Sequence, residues 1–425
     1  MIGETGSGKS LFAQALLGTL PKELSAKGSL EIESVNVDLQ KTSSIEALWG
    51  HKICVLPQEP WRALDPLMSA VRQVEEVHKL VANRPNALTH AEQDLEAMDL
   101  SAAKHRFPFQ LSGGMAQRLA VAAARAGGAE IVVADEPTKG LDTSWRDDVA
   151  SHLRSVPEAG GALLTNTHDL HLAESLGGIL VIREGRVIDR GLAETVLSEP
   201  KEEYTATLIA SQPRHWQKKV PAQMDEVVLH GKQLTIARGE NTLIKCIDIK
   251  LHAGEVVGLY GPSGVGKSSL GDALLGLLKP SAGEVWRSGR HAPTKFQKLW
   301  QDPPAAFPPH QIIGRGFKAL MKLHKIDEME LNLLLNQLSI DATLLARKPD
   351  AVSGGELQRL AIARALLLKP VFLFADEPTS RLDTSTQREV IELLVSLARE
   401  RGVAILLVSR DLDLIDKSTD RKITL

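Results

Sequence analysis

Only two cysteines, Cys54 and Cys246, occur in 425 residues. They stand too far apart for a local zinc module, and two thiols make no disulfide framework. They read as buried thiols of a reducing compartment. Charge of one sign is lacking too: 50 Lys and Arg against 53 Asp and Glu leave a formal −3. No global field points to nucleic acid. No apolar run approaches the roughly 18–20 residues that cross a bilayer. No signal peptide is legible, since Met1-Ile2 leads straight into a glycine-rich loop. These absences predict a soluble, cytoplasmic chain that meets a membrane only through partners. Its length fits two or three domains, and each half is long enough to bury its own core.

What is present is a loop that occurs twice. The first copy reads Gly3-Glu4-Thr5-Gly6-Ser7-Gly8-Lys9-Ser10, the second Gly261-Pro262-Ser263-Gly264-Val265-Gly266-Lys267-Ser268. Both fit G-x-x-x-x-G-K-[ST], the P-loop pattern. The glycines let backbone N–H groups turn inward around a polyphosphate. The lysine meets its terminal phosphates, and the serine hydroxyl can hold Mg²⁺. The helix that follows each loop presents its positive end to the same anion.

The same ordered motifs follow each loop. Val55-Leu56-Pro57-Gln58-Glu59-Pro60 answers to Leu299-Trp300-Gln301-Asp302-Pro303. Leu111-Ser112-Gly113-Gly114-Met115-Ala116-Gln117-Arg118 answers to Val352-Ser353-Gly354-Gly355-Glu356-Leu357-Gln358-Arg359. Apolar runs ending in Asp135-Glu136-Pro137-Thr138 and Asp376-Glu377-Pro378-Thr379 come next. The interval from Ser112 to Asp135 equals that from Ser353 to Asp376, as an internal repeat requires. One interval differs: Lys9 to Gln58 is 49 positions, and Lys267 to Gln301 only 34, a loss expected in a peripheral hairpin.

Short apolar runs at 131–134, 371–375, 162–167 and 403–409 suit strands buried on both faces. Helical patterns such as 117–126 and 358–368 separate them. The fold class is therefore α/β: two P-loop domains, each a mostly parallel sheet flanked by helices. Residues 68–107 and 312–347 read as helix-rich inserts. The expected domains are 1–210 and 227–425, joined by a polar, proline-bearing linker at 211–226.

Together these motifs resemble the ATP-binding cassette superfamily over nearly the whole chain. The resemblance implies a role for each matching residue. Gly3, Gly6, Gly8 and Lys9, with Gly261, Gly264, Gly266 and Lys267, would cradle ATP. Ser10 and Ser268, with Gln58 and Gln301, would approach Mg²⁺, and Asp135 and Asp376 would anchor it through water. Glu136 and Glu377 would polarise the attacking water. Ser112-Gly113-Gly114 and Ser353-Gly354-Gly355 would each cap the γ-phosphate held by the opposite cassette. That makes an intramolecular cassette dimer in which the first P-loop meets Ser353 and the second meets Ser112. Gly140-Leu141-Asp142 and Arg381-Leu382-Asp383 would lie at its seam. The chemistry is phosphoryl transfer to water, where positioning and charge stabilisation dominate.

The sequence departs from the pattern in three places. His168 stands where the superfamily's switch histidine belongs, but the second half has Arg410 there. An arginine stays charged and accepts no proton at neutral pH. Slower turnover at the second site is expected. Two residues before the first P-loop are too few for its leading strand, so the first domain is expected to lack a core strand and the usual adenine-stacking aromatic. In the second half, spacing puts Arg238 at that aromatic position. The continuation after Gly185 also lacks a counterpart beyond Leu425.

Gln58-Glu59-Pro60-Trp61-Arg62-Ala63-Leu64-Asp65-Pro66 is similar to the glutamine loop of oligopeptide, dipeptide and nickel importer ATPases. The run Pro200-Lys201-Glu202-Glu203-Tyr204-Thr205 partly resembles their P-x-H-P-Y-T extension, with Glu202-Glu203 in place of His-Pro. The resemblance implies an importer motor on the cytoplasmic face of the inner membrane. Its partners would be two transmembrane permease subunits, contacted near Trp61, and an extracytoplasmic solute-binding protein; no nucleic acid is expected. Short peptides, nickel chelates and related solutes remain open as cargo. Two other readings stay open: a tandem ribosome-acting ATPase resembling the ABC-F translation factors, and a degenerate regulatory ATPase.

Overall fold

The computed structural model describes residues 1–425 apart from 5, 33–34, 58–62, 139–142, 222–225, 240, 263 and 381. Thr5, Gln58, Trp61, Gly140-Leu141-Asp142, Ser263 and Arg381 thus lie outside the described residues. The chain divides into two units, Met1–Ile209 and Ala210–Leu425.

The first unit contains β1 (Ser29–Ile32), β2 (Val35–Asp38), β3 (Ile53–Leu56), β4 (Ile131–Asp135), β5 (Ala162–Asn166), β6 (Gly178–Arg183) and β7 (Arg186–Leu192). The second contains β8 (Val227–Arg238), β9 (Asn241–His252), β10 (Val256–Tyr260), β11 (Ala282–Arg287), β12 (Phe296–Leu299), β13 (Phe372–Asp376), β14 (Ala404–Val408) and β15 (Arg421–Thr424). In the second unit a parallel sheet runs β12-β13-β14-β10-β15. All five residues of β13 and of β14 are buried, as a strand covered by helices on both faces must be. An antiparallel sheet, β11-β8-β9, completes this unit. The first unit repeats the parallel core as β3-β4-β5, with β6-β7 as a hairpin.

The expected gap at the first P-loop is partly filled. Ile2 forms a parallel bridge with Val181; its N–H donates to Leu180 and its carbonyl accepts from Ile182, both at 2.9 Å. On the other side the Met1 carbonyl accepts from Thr167 N–H at 3.0 Å. Met1 and Ile2 are both buried and take the place that β10 holds in the second unit. Two residues carry no period, so no pattern could announce this.

The shortened interval is accounted for in the expected place. The first unit has β1, β2 and the helix Thr42–Glu46 between its P-loop helix and β3; the second has β11 and a turn at Pro293–Lys295. The inserts are helical, at Ala70–Leu80 and Ala87–Ala97 and at Ile313–His324 and Glu328–Gln337. Part of the stretch expected as a linker is docked on the second unit. Trp216 is buried in its core, with the indole N–H donating to Ser211 O at 2.8 Å. The expectation of two buried thiols holds for Cys54 only; Cys246 is exposed on β9.

Packing beneath the P-loop helices is matched in volume. Gly271 in the helix Lys267–Leu275 lies against Phe374, whose ring would be 2.1 Å from any added Cβ. In the first unit Ala13 and Val133 share one cluster at the corresponding positions. A larger ring is thus accommodated by a smaller helix residue, a volume-conserving exchange.

Candidate active site

Each P-loop enters its helix through a glycine in the left-handed region: φ is 100° at Gly8 and 109° at Gly266. Gly6 and Gly264 are left-handed too, with open space where a side chain would stand. A Cβ at any of these positions would strain the loop. Lys9 is buried and donates to Gly3 O at 2.8 Å, Glu4 O at 2.9 Å and Ser7 Oγ at 3.2 Å. Lys267 likewise donates to Gly261 O at 2.6 Å and Pro262 O at 2.8 Å. Neutral oxygens thus hold both ammonium groups beside helix N-termini, a setting made for anions.

The carboxylates close on the P-loop serines. Ser10 Oγ lies 3.5 Å from Asp135 Oδ1, which also accepts from Asn166 Nδ2 at 3.3 Å. In the second unit Ser268 hydrogen-bonds Asp376. Burial raises the Asp376 carboxyl above the usual carboxylate range, although that hydrogen bond and the nearby Lys298 charge act to lower it. Serine hydroxyl, carboxylate and phosphate oxygens are the hard donors that Mg²⁺ prefers.

Glu136 and Glu377 follow, both at positive φ, 50° and 47°. A glutamate held there in both units is strained by about 1–3 kcal/mol, a feature typical of functional sites. The neighbours of the two glutamates differ. His168 Nε2 lies 3.3 Å from Glu136 Oε1. Arg410 Nε donates to Glu377 Oε1 at 2.8 Å, and Gln301 Nε2 donates to Glu377 Oε2 at 2.9 Å. Gln301, expected near the metal, therefore sits on the glutamate. Arg238 donates to Ser269 Oγ at 3.0 Å and lies 3.6 Å from Asp272, so its guanidinium is committed to the P-loop helix.

The signature turns are exposed at Ser112-Gly113 and Ser353-Gly354 and start two largely buried helices, Gly113–Ala126 and Gly354–Leu366. Ser112 caps the first by accepting from Met115 N. Ser353 and Glu356 form a reciprocal capping box on the second, and Ser353 donates to Glu356 Oε2 at 2.7 Å.

Sequence reasoning missed two residues. Tyr204 Oη accepts from Glu4 N–H at 2.8 Å, tying the helix Glu203–Ala210 to the first P-loop. Lys298 lies buried beside Asp376. Setting Val55 against Lys298 in the aligned repeat would have exposed the second.

A family model described as "ABC transporter" matches residues 1–139 and 244–380. The chain belongs to the ABC transporter family, and it is an ATPase. It is 30% identical to the "Peptidoglycan transport ATP-binding protein YejF" of Agrobacterium fabrum strain C58, over 98% of this chain and 82% of that one. It is 29% identical to the "Glutathione import ATP-binding protein GsiA" of Escherichia coli K12, over 99% of this chain and 78% of that one. Among solved structures, an archaeal ribosome recycling factor, aABCE1 in complex with stalk protein aP1, matches with a TM-score of 0.71 and 23% identity, over 100% of this chain and 82% of that one. That likeness shows the fold.

Proposed function

We propose that the chain is the ATP-hydrolysing motor of an importer for short peptides or peptide-like solutes, acting on two permease subunits at the cytoplasmic face of the membrane. The observation that carries this reading is the near-full-length likeness to two ATP-binding proteins, one named for peptidoglycan transport and one for glutathione import. No helix among the described residues is long and apolar enough to cross a membrane; in this reading the permease subunits supply the solute path.

In this reading Lys9 and Lys267 bind the phosphates of ATP, helped by the glycine-loop N–H groups. Ser10 with Asp135, and Ser268 with Asp376, would hold Mg²⁺. The metal would supply charge neutralisation on the phosphates. Glu136 orients the attacking water, and His168 holds that carboxylate in place. Closure of the cassettes on ATP and reopening after hydrolysis would drive the permeases between access states.

Affinity purification of the chain from gently detergent-solubilised cells, with mass spectrometry, tests the reading. Two hydrophobic permease subunits and a solute-binding protein are expected. Ribosomal proteins recovered without permeases would overturn it.

A further inference from the structure

Lys298 is a charged residue in a place where the first unit has an apolar one. It pairs in register with Phe374 on β13, as Val55 pairs with Val133 on β4. Its side chain is only 8% exposed. Its ammonium lies 2.6 Å from Asp272 Oδ1 and 3.9 Å from Asp376 Oδ2. The rings of Trp300 and Phe374 flank it at 4.4 and 5.4 Å. Asp272 also belongs to the second unit alone, because Gln14 holds the corresponding position after Lys9. Arg238 adds a second cation on Asp272 at 3.6 Å. A line of alternating charge, Arg238, Asp272, Lys298 and Asp376, therefore ends on the carboxylate assigned to the metal. The first unit's Asp135 instead meets two neutral groups, Ser10 and Asn166.

We propose that Lys298 is a built-in cation that takes over much of the divalent metal's charge-balancing at the second P-loop, so that this cassette binds ATP with little dependence on Mg²⁺. The inference rests on the ATP-binding reading above. Metal-free nucleotide is ordinarily repelled by the carboxylates facing its phosphates. Lys298 offsets Asp376, and Arg410 offsets Glu377 at 2.8 Å. Both interactions lie in a partly water-excluded setting where screening by salt is weak. The same ammonium repels an incoming divalent cation. The first site, with Asp135 on neutral partners, keeps the ordinary requirement.

The test uses the full chain with one P-loop silenced at a time and AMP-PNP as probe. With Lys9→Ala, second-site affinity should change less than about threefold between EDTA and excess Mg²⁺. With Lys267→Ala, first-site affinity should fall about tenfold or more in EDTA. Adding Lys298→Val with Asp272→Gln to the Lys9→Ala chain installs the first unit's residues without stranding a carboxylate. It should restore metal dependence, and Mn²⁺ binding followed by electron paramagnetic resonance should strengthen in parallel. Equal metal dependence of the two single-site chains would overturn the proposal, as would a paired substitution that leaves it unchanged. No AMP-PNP binding by either chain in either condition would overturn the ATP-binding reading itself and this inference with it.

Discussion

Arg410 Nε donates to Glu377 Oε1 at 2.8 Å, so the glutamate proposed as catalytic in the second cassette carries a permanent cation. A carboxylate oxygen engaged by guanidinium has fewer lone pairs free to hold a water. Glu136 faces His168 at 3.3 Å, and an imidazole can be neutral at pH 7. The two glutamates thus share a backbone conformation but not a neighbour.

Replacing the guanidinium should therefore free Glu377. Arg410→His, which copies the first unit, is expected to raise steady-state ATP turnover by up to about twofold as a second site joins. Turnover unchanged or lowered in a folded variant would show that Arg410 is not the restraint.

Tyr204→Phe removes the acceptor for Glu4 N–H, a contact of 2.8 Å. One hydrogen bond is worth about 1 kcal/mol, so ATP affinity at the first P-loop should fall roughly fivefold. The change should appear in KM with kcat nearly unaltered, read in a chain whose second P-loop is silenced by Lys267→Ala.

The second unit is locked by Arg399. Its guanidinium donates to Asp420 Oδ2 at 3.0 Å and Oδ1 at 2.6 Å, and to Gly254 O at 2.6 Å. Asp420 also accepts from Val256 N–H at 2.8 Å, which fixes the start of β10. Arg399→Ala strips the cation from a buried carboxylate that keeps Val256 N–H, and should cost about 3 kcal/mol in urea unfolding of the second unit.

Burial pushes the Cys54 thiol up from 9.0 to about 11, although nearby Arg125 lowers it. The folded state thus favours the neutral thiol. That contribution to stability is present below pH 9.0 and is lost as pH rises toward about 11. Near neutral pH a thiol reagent should label the exposed Cys246 quickly, and Cys54 only when the first unit unfolds. Rapid labelling of both in native protein would contradict the burial.

Much of this was legible beforehand. The apolar runs that became β4 and β13, the glycine loops and the helices opened by Ser112 and Ser353 all have local causes: period, φ and capping. Arg410 was visible as an oddity, but its partner was not. The pairing depends on a left-handed Glu377, a backbone state that glutamate does not advertise. Lys298 gives no signal by itself, since its meaning comes from Asp272 on a distant helix. The Met1–Ile2 bridge was unreadable because two residues express no pattern.

ATP turnover of Glu136→Gln against Glu377→Gln in the full chain tests the inequality of the two cassettes most directly. Loss of the working base at the first site should cut turnover by about 10²-fold or more, and loss at the second by less than about twofold. Equal losses from the two substitutions would contradict the claim that the cassettes are unequal.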